Sequence, residues 1–447
     1  MLRVNSKDIM PGDTYLSLED AENEGLNNIE EAIDKGAACI IANKGEYSVK
    51  TIIANDTRTY LSNYLRELYL EKMDKIKIIG VAGTAGKTLT GILLYQLLNK
   101  MGSKTAYLGT NGFFINDSKE ETATTTPDIY DIYDYINRAI DNECDNIIVE
   151  VSSKAIENRY IEGLRFDIVV FTNLILKSNT EEENQKYINT KIELFKMIKK
   201  NGFAIINKDD PYHEKFILPQ NRNIFFGKND SDYKISNIGL TYDYTEFDIN
   251  GVHVELPLLA SYNIYNYLAV YTIARVLEFD EKDIIEATMN LDQIDGRYQK
   301  VKHKDNLIII DYAYNPEMIK NVITYTKEFN KNRIITIIGA EGDKRKEERQ
   351  LIGKLVTENT DYVILTTDSP RYEKPEDIID DIIKGINKDN YEVVINRKEA
   401  IKKGIDMLSD GDILLVLGRG HEENQVIGND NFPLKDYNEV IKHAKPQ

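Results

Sequence analysis

The residues of this chain best suited to chemistry stand at the end of a glycine turn, Gly83-Thr84-Ala85-Gly86-Lys87-Thr88. Glycines let backbone N–H groups turn inward around a phosphate, Lys87 adds a point charge for the outer phosphates, and the Thr88 hydroxyl can hold Mg²⁺. The full phosphate-loop pattern carries glycine at position 81, where this chain has Val81, so the shorter G-x-x-G-K-T is what remains. A second candidate is Glu150, the carboxylate that ends the predicted strand 146–150. Ligands of open α/β sheets bind beyond the carboxyl ends of strands, so a carboxylate there can hold Mg²⁺ or simply face solvent. Four more polar clusters, at 311–316, 342–345, 368–371 and 418–422, close apolar runs in the second half of the chain and suggest a binding face.

The elements that must position these residues follow from hydrophobic pattern. Residues 76–82 read as a strand, and Leu89, Ile92, Leu93, Leu97 and Leu98 place an apolar stripe on the helix after the glycines. Strands at 105–108, 146–150, 166–173 and 202–210 alternate with helices at 128–141 and 184–200, which predicts a parallel sheet with crossover helices. Residues 223–259 alternate polar and apolar with Asn250-Gly251 as a hairpin turn, an expected antiparallel addition to that sheet. The helix at 263–278 has an aromatic and aliphatic face that reads as core. Before this region, residues 1–74 hold a turn at Pro11-Gly12-Asp13, a helix at 29–35, strands at 37–42 and 51–54, and a helix capped by Asp56 or Thr57. After Gly296-Arg297 the alternation restarts, with strands at 307–311, 333–339, 361–366, 391–395 and 412–417. The expected architecture is α/β in three domains: residues 1–74, a central phosphate-loop domain with a parallel sheet at 75–296, and a Rossmann-like domain at 297–447.

Composition narrows the function. At 447 residues the chain is too long for one core, and its net charge of −18 argues against a nucleic-acid partner. Cys39 and Cys144 stand in no metal spacing and read as buried thiols in a reducing cytoplasm. No apolar run reaches the roughly 18 residues of a membrane helix, so no membrane partner is expected and the expected location is the cytoplasm.

Taken in order, the motifs resemble the Mur ligases, most nearly the UDP-N-acetylmuramoyl-dipeptide ligases of the MurE type. The resemblance rests on Pro11-Gly12-Asp13, Asp56-Thr57-Arg58, Gly83 to Thr88, Thr125-Thr126-Pro127, Glu150-Val151-Ser152-Ser153, Phe171-Thr172-Asn173, Tyr187 with Lys191, Asn263 with Asn266, Gly296-Arg297, Asp311-Tyr312-Ala313, Asp368-Ser369-Pro370-Arg371 and Gly418-Arg419-Gly420-His421-Glu422. It implies an ATP- and Mg²⁺-dependent amide-bond ligase in which a substrate carboxylate becomes an acyl phosphate that an amino acid then displaces. It also implies roles. The loop residues Gly83, Thr84, Ala85, Gly86, Lys87 and Thr88, with Asn266, Arg297 and Asp311, would hold ATP, and Thr88, Glu150 and Lys191 the metal. Lys87, Lys191 and Glu150 would be the catalytic residues. Lys191 matches a lysine carbamylated in the family, although alone, beside Lys196, Lys199 and Lys200, it reads as a solvated helix face. Thr125, Thr126, Ser152 and Arg159 would meet the UDP-N-acetylmuramoyl dipeptide, and Asp368, Arg371, Gly418 and Glu422 the incoming amino acid. An arginine at 371 goes with meso-diaminopimelate rather than L-lysine, and the expected form is a monomer.

Several departures from the family fall at the chemistry. Ala85 replaces an asparagine, Lys177-Ser178 an Asp-His pair, Lys154 and Tyr314 two histidines, Ser369 an asparagine, and Tyr160 an arginine that Arg159 precedes by one place. Two readings therefore stand: a working ligase, whose acceptor is open, and a degenerate relative that binds nucleotide or UDP-sugar peptide without turnover. An unrelated phosphate-loop kinase would leave the motifs after residue 296 unexplained.

Overall fold

Apolar strands too hydrophobic to face water on either side organise both halves of the chain. A computed structural model describes residues 1–18, 28–116, 118–176, 180–241, 243–329 and 332–445. The chain divides into two units, residues 1–236 with 265–287 and residues 237–264 with 288–447.

In the first unit, strands Ile198–Asn207, Phe166–Phe171, Lys77–Ala82, Asn146–Glu150 and Thr105–Gly109 lie side by side in that order, all parallel. Such strands are buried on both faces and read as continuous apolar runs; Ile147, Ile148, Val149 and Glu150 are all fully buried. Helices Lys87–Lys100, Ile129–Asp141 and Glu181–Lys196 supply the crossovers. The strand ahead of the glycine turn sits in the middle, with Ala82 beside Phe171 and Val81 beside Glu150, so three carboxyl ends open onto one edge. The chain leaves Lys77–Ala82 in one direction for Thr105–Gly109 and later returns on the other side for Phe166–Phe171. That reversal creates the crevice in which α/β sheets hold ligands.

The same unit carries a parallel sheet of Leu2–Arg3, Thr14–Leu16, Cys39–Ala42 and Lys50–Ile53, two strands more than sequence pattern predicts. Those two have only two and three residues, too few for a period to register. Helix Thr57–Met73 begins at Asp56, whose carboxylate accepts from the Thr59 N–H at 3.0 Å as an N-cap should. Among the described residues no helix is long and apolar enough to cross a membrane.

One expectation is corrected. The region 223–259 is antiparallel only in its second part: Arg222–Gly227 pairs parallel with Ile198–Asn207, and Tyr233–Leu240 parallel with Arg222–Gly227. The connection 208–221 is long enough for a crossover, and it is anchored by Phe216, stacked on Phe171 at 3.9 Å. Thr245–Ile249 and Val252–Leu256 form the expected antiparallel hairpin, with Asn250 and Gly251 at φ 50° and 89° as the tight turn demands.

The rest of the second unit is a sheet in the order Gln299–His303, Asn306–Asp311, Ile413–Leu417, Ile334–Ile338, Tyr362–Leu365, Tyr391–Val393, parallel except for its first pair. Successive residues point to opposite faces. Leu307 and Ile309 pack under helices Pro316–Phe329, Lys346–Asn359 and Pro375–Ile383, while Ile308 and Ile310 pack under Arg397–Asp406 and Asp436–His443. The five expected strands are present. The edge strand Gln299–His303 and the hairpin Asn424–Ile427 with Asp430–Pro433 are additions the pattern does not announce.

Candidate functional site

Gly86 caps the helix Lys87–Lys100 with φ 81°, and Gly83 lies at φ 155°. A Cβ on Gly83 would fall 1.9 Å from Thr172 Oγ1, and one on Gly86 would fall 2.4 Å from Asn266 Oδ1. The turn is drawn this tight by its neighbours. Thr172 Oγ1 donates to the Ala85 carbonyl at 2.7 Å, the Ala85 N–H donates to Asn173 Oδ1 at 2.9 Å, and the Thr84 hydroxyl meets Tyr187 OH at 3.0 Å. Gly86→Ala is expected to destabilise the loop by about 1–3 kcal/mol, the scale of a non-glycine residue held in a rare backbone region. The measurement is nucleotide affinity by calorimetry beside a thermal melt, and wild-type values in both would refute the fit.

The turn gathers the charged residues expected of it. Lys87 Nζ donates to the Gly83 and Thr84 carbonyls at 3.0 and 3.3 Å. Lys191 Nζ donates to the same Gly83 carbonyl at 3.0 Å and sits 4.6 Å from the centre of the Tyr187 ring. Lys191 is 2% exposed, so the solvated helix face is corrected. The helix ends at Lys196, Ile198 starts a strand, and Lys191 shares the buried side of the helix with Ile188, Leu194 and Phe195.

Glu150 is wholly buried, yet its carboxylate is fully engaged. It accepts from Thr88 Oγ1 at 3.0 Å, from Thr110 Oγ1 at 3.1 Å and N–H at 3.3 Å, and from the Tyr107 hydroxyl. Gly109 makes this possible, since a Cβ there would meet Glu150 Oε1 at 2.3 Å and Tyr107 OH at 2.4 Å. The oxygen donors Thr88 and Glu150 fit Mg²⁺, which takes one or two carboxylate or hydroxyl ligands and fills its shell with water and phosphate oxygens. Among the described residues no group of three or more His, Cys, Asp or Glu could hold a metal without such help.

Thr126 Oγ1 donates to the Glu150 carbonyl at 2.8 Å and accepts from the Ser152 N–H at 3.0 Å, while Thr125 and Thr110 hydroxyls lie 3.1 Å apart. Thr125, Thr126 and Ser152 thus line the same edge as Glu150. Arg159 is engaged elsewhere, by Asp56 at 2.7 Å, Thr59 and Glu162. Arg58 lies over the Tyr160 ring at 5.1 Å and pairs with Asp128 at 2.8 Å, a second guanidinium to which the motifs alone assign no role. Lys154 belongs to the short helix Ser153–Glu157, capped by Ser152, and Lys177 and Ser178 lie outside the described residues. Asn266 Oδ1 accepts from Thr90 Oγ1 at 3.4 Å, beside Gly86.

In the second unit the strand ends carry three clusters. Buried Asp311 accepts from the Tyr298 N–H at 2.6 Å; burial outweighs the nearby Arg297 and pushes its carboxyl up to about 6. The Arg297 guanidinium lies 4.6 Å from the Tyr312 ring, which packs against His421 and Tyr314. Asp368 and Ser369 stand beside the fully buried Arg419, which donates to Ser369 Oγ at 2.9 Å and lies 3.3 Å from Glu422. A Cβ on Gly418 would fall 2.6 Å from Asp368 Oδ2. Arg371, at φ 53°, pairs with Glu341.

Residues 81–274 match the Mur ligase middle domain, and residues 296–420 match the Mur ligase, glutamate ligase domain. A UDP-N-acetylmuramoyl-L-alanyl-D-glutamate--2,6-diaminopimelate ligase of Clostridium perfringens is 32% identical, over 98% of this chain and 93% of its own length. A ligase of the same name from Aquifex aeolicus is 31% identical over 99% and 92%. A solved structure bearing that name superposes with a TM-score of 0.75 at 26% identity, over 99% of this chain and 94% of that one. A MurF ligase of Thermotoga maritima, solved with ADP, shares the fold at a TM-score of 0.65 and 19% identity, over 94% of each chain. A glycine turn with its lysine, threonine and buried carboxylate, matched to relatives over nearly its whole length, makes this chain a member of the Mur ligase family.

Proposed function

We propose that the chain is an ATP-dependent ligase that adds a diamino acid, meso-diaminopimelate with L-lysine as the alternative, to UDP-N-acetylmuramoyl-L-alanyl-D-glutamate in the cytoplasm, in the building of peptidoglycan precursors. The observation that carries this reading is the meeting of Lys87, Thr88, Glu150 and Lys191 at one glycine turn. Relatives named for that reaction support the choice of substrates.

The dipeptide carboxylate attacks the γ-phosphorus of ATP, an O–P bond forms, and ADP leaves. The amino group of the diamino acid then attacks the acyl phosphate carbon, a C–N bond forms, and phosphate departs as the amine gives up a proton. Lys87 and the loop N–H groups offset phosphate charge as it shifts in the transition state. Thr88 and Glu150 would hold Mg²⁺, which adds further charge neutralisation when bound. Carbamylation of Lys191 would turn a buried cation into a second carboxylate beside them. Thr125, Thr126 and Ser152 offer hydroxyls to the dipeptide, Asn266, Arg297 and Asp311 contact ATP, and Asp368, Arg371, Gly418 and Glu422 receive the diamino acid.

Burial, with the Asp368 carboxylate near it and Arg419 opposing, pushes Glu422 up to about 7 from 4.5. Its charge therefore develops as pH rises through about 7, and the KM for an acceptor whose ammonium it meets should fall from about pH 6 to about pH 8. Stability runs the other way: a native state that holds the proton more tightly loses stability as pH rises from about 4.5 through about 7, and no more is lost above that. Glu422→Gln should flatten the KM profile; an unchanged profile would remove Glu422 from the acceptor site.

The deciding experiment is phosphate release from ATP with Mg²⁺ and the UDP-dipeptide, with and without each diamino acid, and mass spectrometry of the product. Amino-acid-dependent release with a new UDP-tripeptide is expected. ATP binding without turnover on either acceptor would overturn the reading.

A further inference from the structure

Glu341 follows the strand Ile334–Ile338 and faces Arg371, which lies in the loop after the next strand, Tyr362–Leu365. Its Oε1 accepts from Arg371 Nε at 2.8 Å and from a second guanidinium nitrogen, and its Oε2 lies 3.1 Å from Lys344 Nζ. An ion pair between half-exposed side chains is usually a weak and adaptable feature. This one is held by the backbone on both sides. The Gly342 N–H donates to the Ser369 carbonyl at 2.8 Å, and a Cβ on Gly342 would fall 2.0 Å from the Pro370 carbonyl. The Asp343 N–H donates to Glu373 at 2.6 Å, and Glu373 is paired in turn with the 1% exposed Arg349. Arg371 itself is clamped by its N–H to Val426 O at 3.1 Å and its carbonyl to the Gly428 N–H at 2.7 Å. The two loops are thus tied at several points, and the carboxylate and guanidinium are presented to each other already aligned.

A preformed pair has a consequence for what Arg371 can recognise. A guanidinium binds a carboxylate through two parallel N–H bonds, and here one side of that fork already faces Glu341. A ligand's distal carboxylate must compete with Glu341 and approach its negative charge, whereas a distal ammonium group meets no such repulsion. We infer that Glu341 is a specificity-determining residue of the amino-acid site: it neutralises Arg371 and so admits acceptors whose distal end is a simple ammonium, as in L-lysine, beside those with a distal carboxylate. This inference rests on the ligase reading above and on Arg371 facing the acceptor.

The test compares purified wild-type protein with Glu341→Gln, which keeps the shape and removes the charge. The quantity read is the ratio of kcat/KM for meso-diaminopimelate to that for L-lysine, with Kd for each amino acid measured by calorimetry. The ratio should rise about fivefold or more in the variant, through KM rather than kcat, the scale of one close charge pair. Arg371→Ala added to Glu341→Gln should abolish that rise, which a general loosening of the loop would not do. An unchanged or falling ratio overturns the inference and leaves the ligase reading intact. Should neither protein turn over, the ligase reading fails and the ratio of Kd values decides for Glu341; failure of both proteins to bind either amino acid overturns both.

Discussion

Lys87→Ala is expected to lower amino-acid-dependent phosphate release by a factor on the order of 10²–10³ or more, as removal of one preorganised charge from a transferring phosphoryl group does elsewhere. The side chain is half-buried, and its ammonium donates to carbonyls of its own loop, Gly83 O and Thr84 O. Those carbonyls keep water or Lys191 as partners when Lys87 is gone, so the melting temperature should stay close to that of the wild type. Phosphate release and a thermal scan of the same preparation separate the two effects. Full activity in a stable variant would sink the assignment of residues 83–88 as the phosphate site.

Glu150→Gln should be nearly as damaging, and by two routes. An amide in place of the carboxylate offers one acceptor oxygen to Thr88, Thr110 and Tyr107, and turns its own N–H groups toward donors. Leaving a buried donor unmatched costs about 1–3 kcal/mol of stability. The lost negative charge should also raise the Mg²⁺ concentration needed for half-maximal phosphate release and weaken the Mg²⁺ dependence of nucleotide binding seen by calorimetry. A variant that melts early yet needs no more Mg²⁺ than the wild type would make Glu150 a structural residue only.

Both of these sites are legible in the sequence because each rests on a local pattern. A glycine turn between an apolar strand and an amphipathic helix spans a dozen residues, and Glu150 directly follows the apolar run Ile147-Ile148-Val149. Lys191 is different. Its burial depends on Tyr187 and on a loop more than one hundred residues earlier in the chain, and nothing in the lysine-rich run 191–200 distinguishes it. Arg58 likewise gains its partners Asp128 and Tyr160 only through tertiary contact. The parallel return of Arg222–Gly227 is hidden because alternation reveals that a strand has two unlike faces, and says nothing of the direction of its neighbour. Glu341 carries no signal of its own, because its meaning comes from Arg371, thirty positions on.

The buried pair of Arg397 and Asp436, with both side chains 0% exposed and joined at 2.6 and 2.8 Å, bears on how this protein can be handled. Arg397 also donates to the Leu417 carbonyl, immediately before Gly418, and Arg419 donates to the Leu434 carbonyl, two residues before Asp436. The last helix is therefore a keystone under the loop that carries Glu422, not a detachable tail. Shortening the chain before Asp436, for crystallisation or to attach a fusion partner, would strand Arg397 in the interior without its carboxylate. Fusions are better carried beyond the final helix or at the other terminus, and a protease cut near Leu434 should register first as lost amino-acid recognition.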